Sequence, residues 1–372
     1  MGTGAGPYAR LRARGGALVN NGLLDRIEKA VLYEGYLLYP YRPSAIKNRQ
    51  RFNFGVLYPR TYSEAQLGTD AWTMQTECLA LADESTRCSV RIRFLRMVER
   101  SIHKLAASTD ESEKIDEGAM SRVSRLEVAG EVYQPWQEVV EAEIEVSEFG
   151  LLALTSESIQ WPFRLSAERD KKPIRDEVGR TYGFTVREQR ALAGMVEISS
   201  VRLNERAFRL TVRIQNTTRF DNPAQSTREE AMARALVSAH TVLEIARGEF
   251  VSMVDPPEEL RDFASSCQNI GAWPVLVGTE SQRDIILSSP IILYDYPQVA
   301  PESPGDLFDG AEIDEILSLR ILAMTDEEKR EMRQSDERAR QILERTESLP
   351  EEQWMKLHGA IRGLRPAKSE AP

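Results

Sequence analysis

Four stretches of two-residue alternation constrain this chain more than any other feature. Val90, Ile92 and Phe94 alternate with Ser89, Arg91 and Arg93. Leu126, Val128, Gly130 and Val132 alternate with Glu127, Ala129 and Glu131. Val140, Ala142, Ile144 and Val146 alternate with Glu141, Glu143 and Glu145, and Phe208, Leu210, Val212 and Ile214 with Arg209, Thr211 and Arg213. Period two is the repeat of a strand with one face buried and one in water. Parallel sheets bury both faces, so the pattern predicts antiparallel pairing. Asn204-Glu205 lies between two such runs and suits a hairpin turn. The expectation is an α+β fold whose antiparallel, sandwich-like β core covers about residues 86–220, with flanking helices and a C-terminal string of short ones.

The rest of the chain is read around that core. Residues 1–22 are rich in Gly and Arg and read as a loose tail, followed by a short helix from Leu23 to Leu32. The polar stretch 104–122 reads as a surface loop. Thr227 and Glu230 have the spacing of a capping box, and a helix is predicted from there to Arg247, with Gly248 as its stop. Asp255-Pro-Pro-Glu reads as another helix start. WPVLVG and DIILSSPIILYDYP are apolar runs predicted as buried strands. From 306 to 363 the chain changes character. Helix starts recur at Asp309, Thr325, Ser335 and Leu349, and the apolar positions Ile313, Ile316, Leu317, Ile321, Leu322, Ile342 and Leu343 need something to lie on. The predicted units are a 23–305 body, this charged helical segment, and a tail over 364–372.

Charge is unevenly placed. Met1–Arg60 has ten Lys/Arg against three Asp/Glu, whereas Pro301–Glu352 has seven against sixteen. Attraction between the two regions would help dock the C-terminal segment, with apolar contacts supplying most of the energy, because exposed pairs contribute only about 0–1 kcal/mol each. The net charge of −10 argues against general affinity for nucleic acid or membrane surfaces. Three cysteines, Cys78, Cys88 and Cys267, form no CxxC pair and suit a reducing compartment. With no apolar run near the roughly 18 residues of a membrane helix, a cytoplasmic protein without membrane insertion is expected.

Chemistry-bearing motifs are missing. There is no GxxxxGK[ST], no GxSxG, and no HExxH or HxxxH around His103, His240 or His358. His240, on the predicted helix with Leu236 and Leu243, reads as a core histidine or, less simply, a ligand or an acid–base group. Cys267 reads as a small apolar filler, since nothing basic adjoins it to favour the thiolate. The acids of GDLFDGAEIDEIL lack calcium-loop spacing and are explained by helix capping and the helix dipole. Neither metal nor cofactor is expected.

Two candidate sites remain. Tyr36, Tyr39, Tyr41, Arg42, Lys47, Arg49 and Arg51 interleave aromatic and basic side chains. Tyr and Arg are enriched at protein interfaces. The same residues could also stack nucleic-acid bases, or simply pack in a sheet beside solvated cations. The alternative is an unfamiliar active site where Tyr294-Asp295-Tyr296 ends an apolar run, with Asp255, Asn269, Asp295 and Tyr296 at the loops.

Three long segments carry a family resemblance: YEGYLLYPYRPSAIKNRQRFNFG, SSPIILYDYPQVAPESPGDLFDGAEIDEILSLRILAMTDEEKREMR and DERARQILERTE. They resemble a family of uncharacterised bacterial proteins encoded beside uptake [NiFe]-hydrogenase structural and maturation genes, over about Val31 to Arg362. The resemblance implies an accessory or assembly role, with a hydrogenase subunit or maturation factor as the protein partner. It supplies no catalytic residues.

Overall fold

The computed structural model describes residues 21–34, 54–109, 120–298, 314–335 and 337–350. The chain enters through α1 (Asn21–Leu32) and α2 (Arg60–Ala65), then runs through β1 (Thr73–Leu81), β2 (Arg87–Thr109), β3 (Met120–Val123), β4 (Leu126–Val128), β5 (Glu131–Tyr133) and β6 (Trp136–Phe149). β7 (Ile159–Leu165), β8 (Glu168–Arg175), β9 (Thr181–Gln189), β10 (Leu192–Arg202) and β11 (Ala207–Asn216) follow. After α3 (Arg228–Met232) come β12 (Val237–Ala246), β13 (Glu249–Phe250), α4 (Arg261–Ser265), β14 (Trp273–Leu276) and β15 (Ile285–Ser289). The helices α5 (Asp314–Leu322), α6 (Asp326–Ser335) and α7 (Glu337–Glu347) complete the order.

Two antiparallel sheets stack face to face. One has the order β13-β1-β11-β10-β7; the other runs β14-β15-β12-β2-β9-β8, with β6 and β3 also paired to β2. The predicted alternation explains the stacking. Val90, Ile92, Phe94, Ile144 and Val146 from one sheet meet Leu210, Val212, Ile214, Val196 and Ile198 from the other in a single buried core. Close approach is demanding at Gly194, where a Cβ would sit 2.2 Å from the Phe163 ring. The Asn204 turn is present: its carboxamide oxygen accepts from the Arg206 and Ala207 amides, joining β10 to β11.

A third layer covers the outer face of the larger sheet. Leu24, Ile27 and Val31 of α1 pack on Val242 and Leu287. Beside them Leu317, Ile321, Met332, Ala339, Ile342 and Leu343 of α5–α7 are buried against Leu95, Met97 and Trp136, in a cluster that includes Leu32, Tyr33, Val56 and Tyr58. The C-terminal helices are therefore docked, and through apolar contacts. Burying a Leu or Ile side chain contributes roughly 1.5–3 kcal/mol. Of the expected apolar positions, Ile316 and Leu322 remain exposed and Ile313 lies outside the described residues. Most cations of the basic N-terminal region lie outside the described residues, so the expected charge attraction falls there too. Among the described residues the C-terminal segment meets Tyr33 through a cation. Arg338 stacks over Tyr33, 3.4 Å from the ring centroid, and reaches Glu141 at 3.5 Å.

Several elements differ from the sequence reading. The Thr227–Glu230 capping box forms, yet its helix ends at Met232 and the chain then runs as β12, a central strand covered on both faces. With both faces buried there is no wet–dry alternation to see, and the Ala-rich composition reads as helix. Leu126 to Val132 is a hairpin, β4 and β5 turning at Ala129-Gly130, both at positive φ. Strand β2 runs on to Thr109 where a loop was expected, and β3 begins at Met120. DIILSSPIILYDYP gives strand only over Ile285–Ser289. At Asp255-Pro-Pro-Glu a 3-10 turn starts after Pro257, without a side-chain cap from Asp255.

Candidate functional site

Tyr36, Tyr39, Tyr41, Arg42, Lys47, Arg49 and Arg51 lie outside the described residues. Their neighbour Tyr33 is buried: its hydroxyl donates to Glu141 Oε1 at 2.9 Å beneath the stacked Arg338. Burial drives the phenol pKa upward.

At the alternative site, the structure joins two of the four residues through Ser252. The Ser252 hydroxyl donates to Asp295 Oδ2 and accepts from the Asp255 amide at 2.8 Å. Asp295 Oδ1 accepts from the Leu276 amide at 2.8 Å, and the Tyr296 amide donates to the Leu276 carbonyl at 2.7 Å. Asn269 is engaged differently. Its side-chain oxygen accepts from the Glu77 amide and its nitrogen donates to the Glu77 carbonyl, so the carboxamide acts as a strand neighbour for β1. Asp295 Oδ1 and the Asn269 carboxamide thus serve the backbone, fastening loops to the end of β14 and the edge of β1, while Asp295 Oδ2 holds the Ser252 hydroxyl. Tyr296 holds φ at 57°, a left-handed conformation fixed by that ladder bond.

Other chemistry-bearing groups are buried singly. His240 sits on β12 opposite Arg93. One ring nitrogen pairs with the Ser238 carbonyl at 2.6 Å, while Nε2 has no partner. Burial pulls its pKa down to about 4, and Arg93 adds to the effect. The sheet position corrects the expected helical one: His240 shares its face with Arg93 and Val242, not with Leu243. Burial likewise raises the thiols of Cys78, Cys88 and Cys267, the last to about 11, which keeps them protonated and poorly nucleophilic. Among the described residues no group of three or more His, Cys, Asp or Glu could hold a metal ion.

The open concave surface lies elsewhere, along the seam between the larger sheet and the helical layer. A cleft of about 850 Å³ separates β5, β6 and β9 from α6 and α7. Arg100, Arg187, Arg333, Arg338 and Arg340 line it, with the carboxylates of Glu131, Glu138 and Glu337. At its floor Glu138 is shared by two guanidiniums, Arg100 at 3.2 Å and Arg187 at 2.5 Å. A neighbouring cleft of about 660 Å³ also opens onto Arg100 and is bordered by Trp136 and Phe220. Sequence reasoning missed these arginines because each stands on a strand's polar face or in a charged helix, where a solvated cation is the ordinary expectation. Only the helical layer, which the sequence does not position, turns that face into a cleft.

No family model, curated protein or solved structure matches the chain. Among the described residues no helix is long and apolar enough to cross a membrane, a statement that concerns helices alone.

Proposed function

We propose that this protein is a non-catalytic accessory or assembly protein that acts through protein–protein contacts, in the biogenesis of a [NiFe]-hydrogenase. The observation that carries the contact role is the arginine-lined seam. It is concave, rich in hydrogen-bond donors and flanked by aromatic side chains, the composition of a recognition surface. The engagement of Asp295 and Asn269 with backbone amides points the same way, because groups that fasten loops are poorly placed to move protons. The link to hydrogenase rests on the sequence resemblance alone. Tagged protein purified from its native host is expected to bring down a hydrogenase subunit or maturation factor, and deletion of the gene to lower hydrogen uptake. Recovery of neither partner, with uptake intact, ends the proposal.

A further inference from the structure

The geometry points to the cleft between β5, β6, β9 and the α6–α7 pair as a receptor for an acidic peptide segment of a protein partner, held by guanidinium–carboxylate pairing. This assignment rests on the partner-binding reading above and gives it a place and a chemistry.

The argument is one of donors and acceptors. Each carboxylate lining the cleft is already an acceptor for a neighbour. Glu138 takes Arg100 and Arg187, Glu337 takes Arg340 and Gln341, and Glu131 takes the Tyr133 hydroxyl at 2.6 Å. The arginines are not exhausted in the same way, since each guanidinium carries five N–H donors in a fork that matches a carboxylate. Arg333 and Arg338 have their acids, Glu347 and Glu141, outside the lining. What the cleft presents is therefore a surplus of donors rather than a bare positive field.

Arg187 is the clearest case. Its guanidinium holds Glu138 through Nη2 and its Nε is buried, so what it offers an arriving carboxylate is its remaining terminal N–H groups. Side chains of Arg187, Arg333 and Arg340 remain 37%, 42% and 46% exposed, so an arriving carboxylate reaches them without unfolding anything. Exposed ion pairs are weak and exchange readily for a ligand that brings several carboxylates at once. The Gln334 and Gln341 amides on the helical side add neutral donors for a peptide backbone. An extended peptide suits an open trough between two layers better than a compact ion does.

The test uses the full chain and a fluorescently labelled hexaglutamate peptide at low salt. Saturable binding is expected, weakening as salt rises. The double variant Arg187→Ser/Arg340→Ser should bind about tenfold more weakly or worse, as two charge-assisted bonds are lost. Both positions are solvent-reaching, so the fold should survive, and unchanged thermal melting checks this. The helix-surface variant Arg340→Glu, made alone, gives an independent reading and should also weaken binding. No binding by the wild type, or equal binding by both variants, overturns the assignment. So does full competition by inorganic phosphate, which would mean a small-anion site, or tighter binding of a single-stranded oligonucleotide. If tagged purification recovers a partner while the peptide fails to bind, only the cleft assignment falls.

Discussion

His240 shows how one buried side chain couples the fold to pH. An exposed histidine titrates near 6.5, whereas this one is held to about 4 by burial and by Arg93. The native state refuses a proton that the unfolded chain accepts. Stability is therefore complete above about pH 6.5 and falls as pH drops toward 4, by about 3 kcal/mol at most. Glu28 opposes this. Burial of this α1 residue against the sheet raises its carboxyl pKa despite the ion pair with Arg93, so its own contribution is lost as pH rises. Comparison of wild type with His240→Leu separates the two: melting temperatures at pH 7 and pH 5 should differ less in the variant. An equal drop in both would assign the acid sensitivity to other groups. Gly194→Ala tests packing in the sandwich. The added methyl meets the Phe163 ring and the Gln215 carbonyl, and a destabilisation of about 1–3 kcal/mol is expected in denaturant midpoints. Phe163→Leu in the same chain should recover part of the loss.

Elements differ in how plainly the sequence announces them. β6 and β11 are legible because polar residues take one face of each, and β2 because Ser89, Arg91 and Arg93 alternate with its core residues, although Arg93 is buried in ion pairs with Glu28 and Glu141. β12 is not, because α1 covers the face that water would otherwise mark with polar residues. Its β-branched Val237, Thr241, Val242 and Ile245 are the remaining signal, and helix-favouring alanines mask it. The capping box at Thr227 is real and stops nothing, since a cap fixes where a helix starts and not how long it runs. The arginine-lined cleft was illegible for a different reason. Its residues come from six elements scattered over residues 100–341, and only tertiary packing makes them neighbours. Docking of the C-terminal helices is testable at this scale. Leu343→Ala and Ile342→Ala each remove buried apolar volume and should cost about 2–5 kcal/mol. Arg338→Met keeps the stem over Tyr33 while removing the charge, and should cost much less. A charge-driven layer would show the reverse order, and thermal melts of the three variants decide.

At the scale of the whole molecule, the C-terminal helices cover the part of the larger sheet's outer face that carries Leu95, Met97 and Trp136. Truncation after Gly305 uncovers Leu95, Met97 and Trp136. The remainder is expected to aggregate, which light scattering would detect. A soluble, monomeric remainder would show that the layer is a separable arm. The pairing of β2 has a further consequence during synthesis. Ile92 lies opposite Ile144 on one side and opposite Thr241 on the other. The second partner leaves the ribosome roughly 150 residues after the first strand is made, a delay of about 7–30 s at ordinary elongation rates. Through that interval one backbone edge of β2 is open, although the opposing core strands β10 and β11 are made before β12. A nascent chain of this design depends on slow neighbours, so its yield in cells should respond to holding chaperones and to growth temperature more steeply than the stability of the finished molecule would suggest.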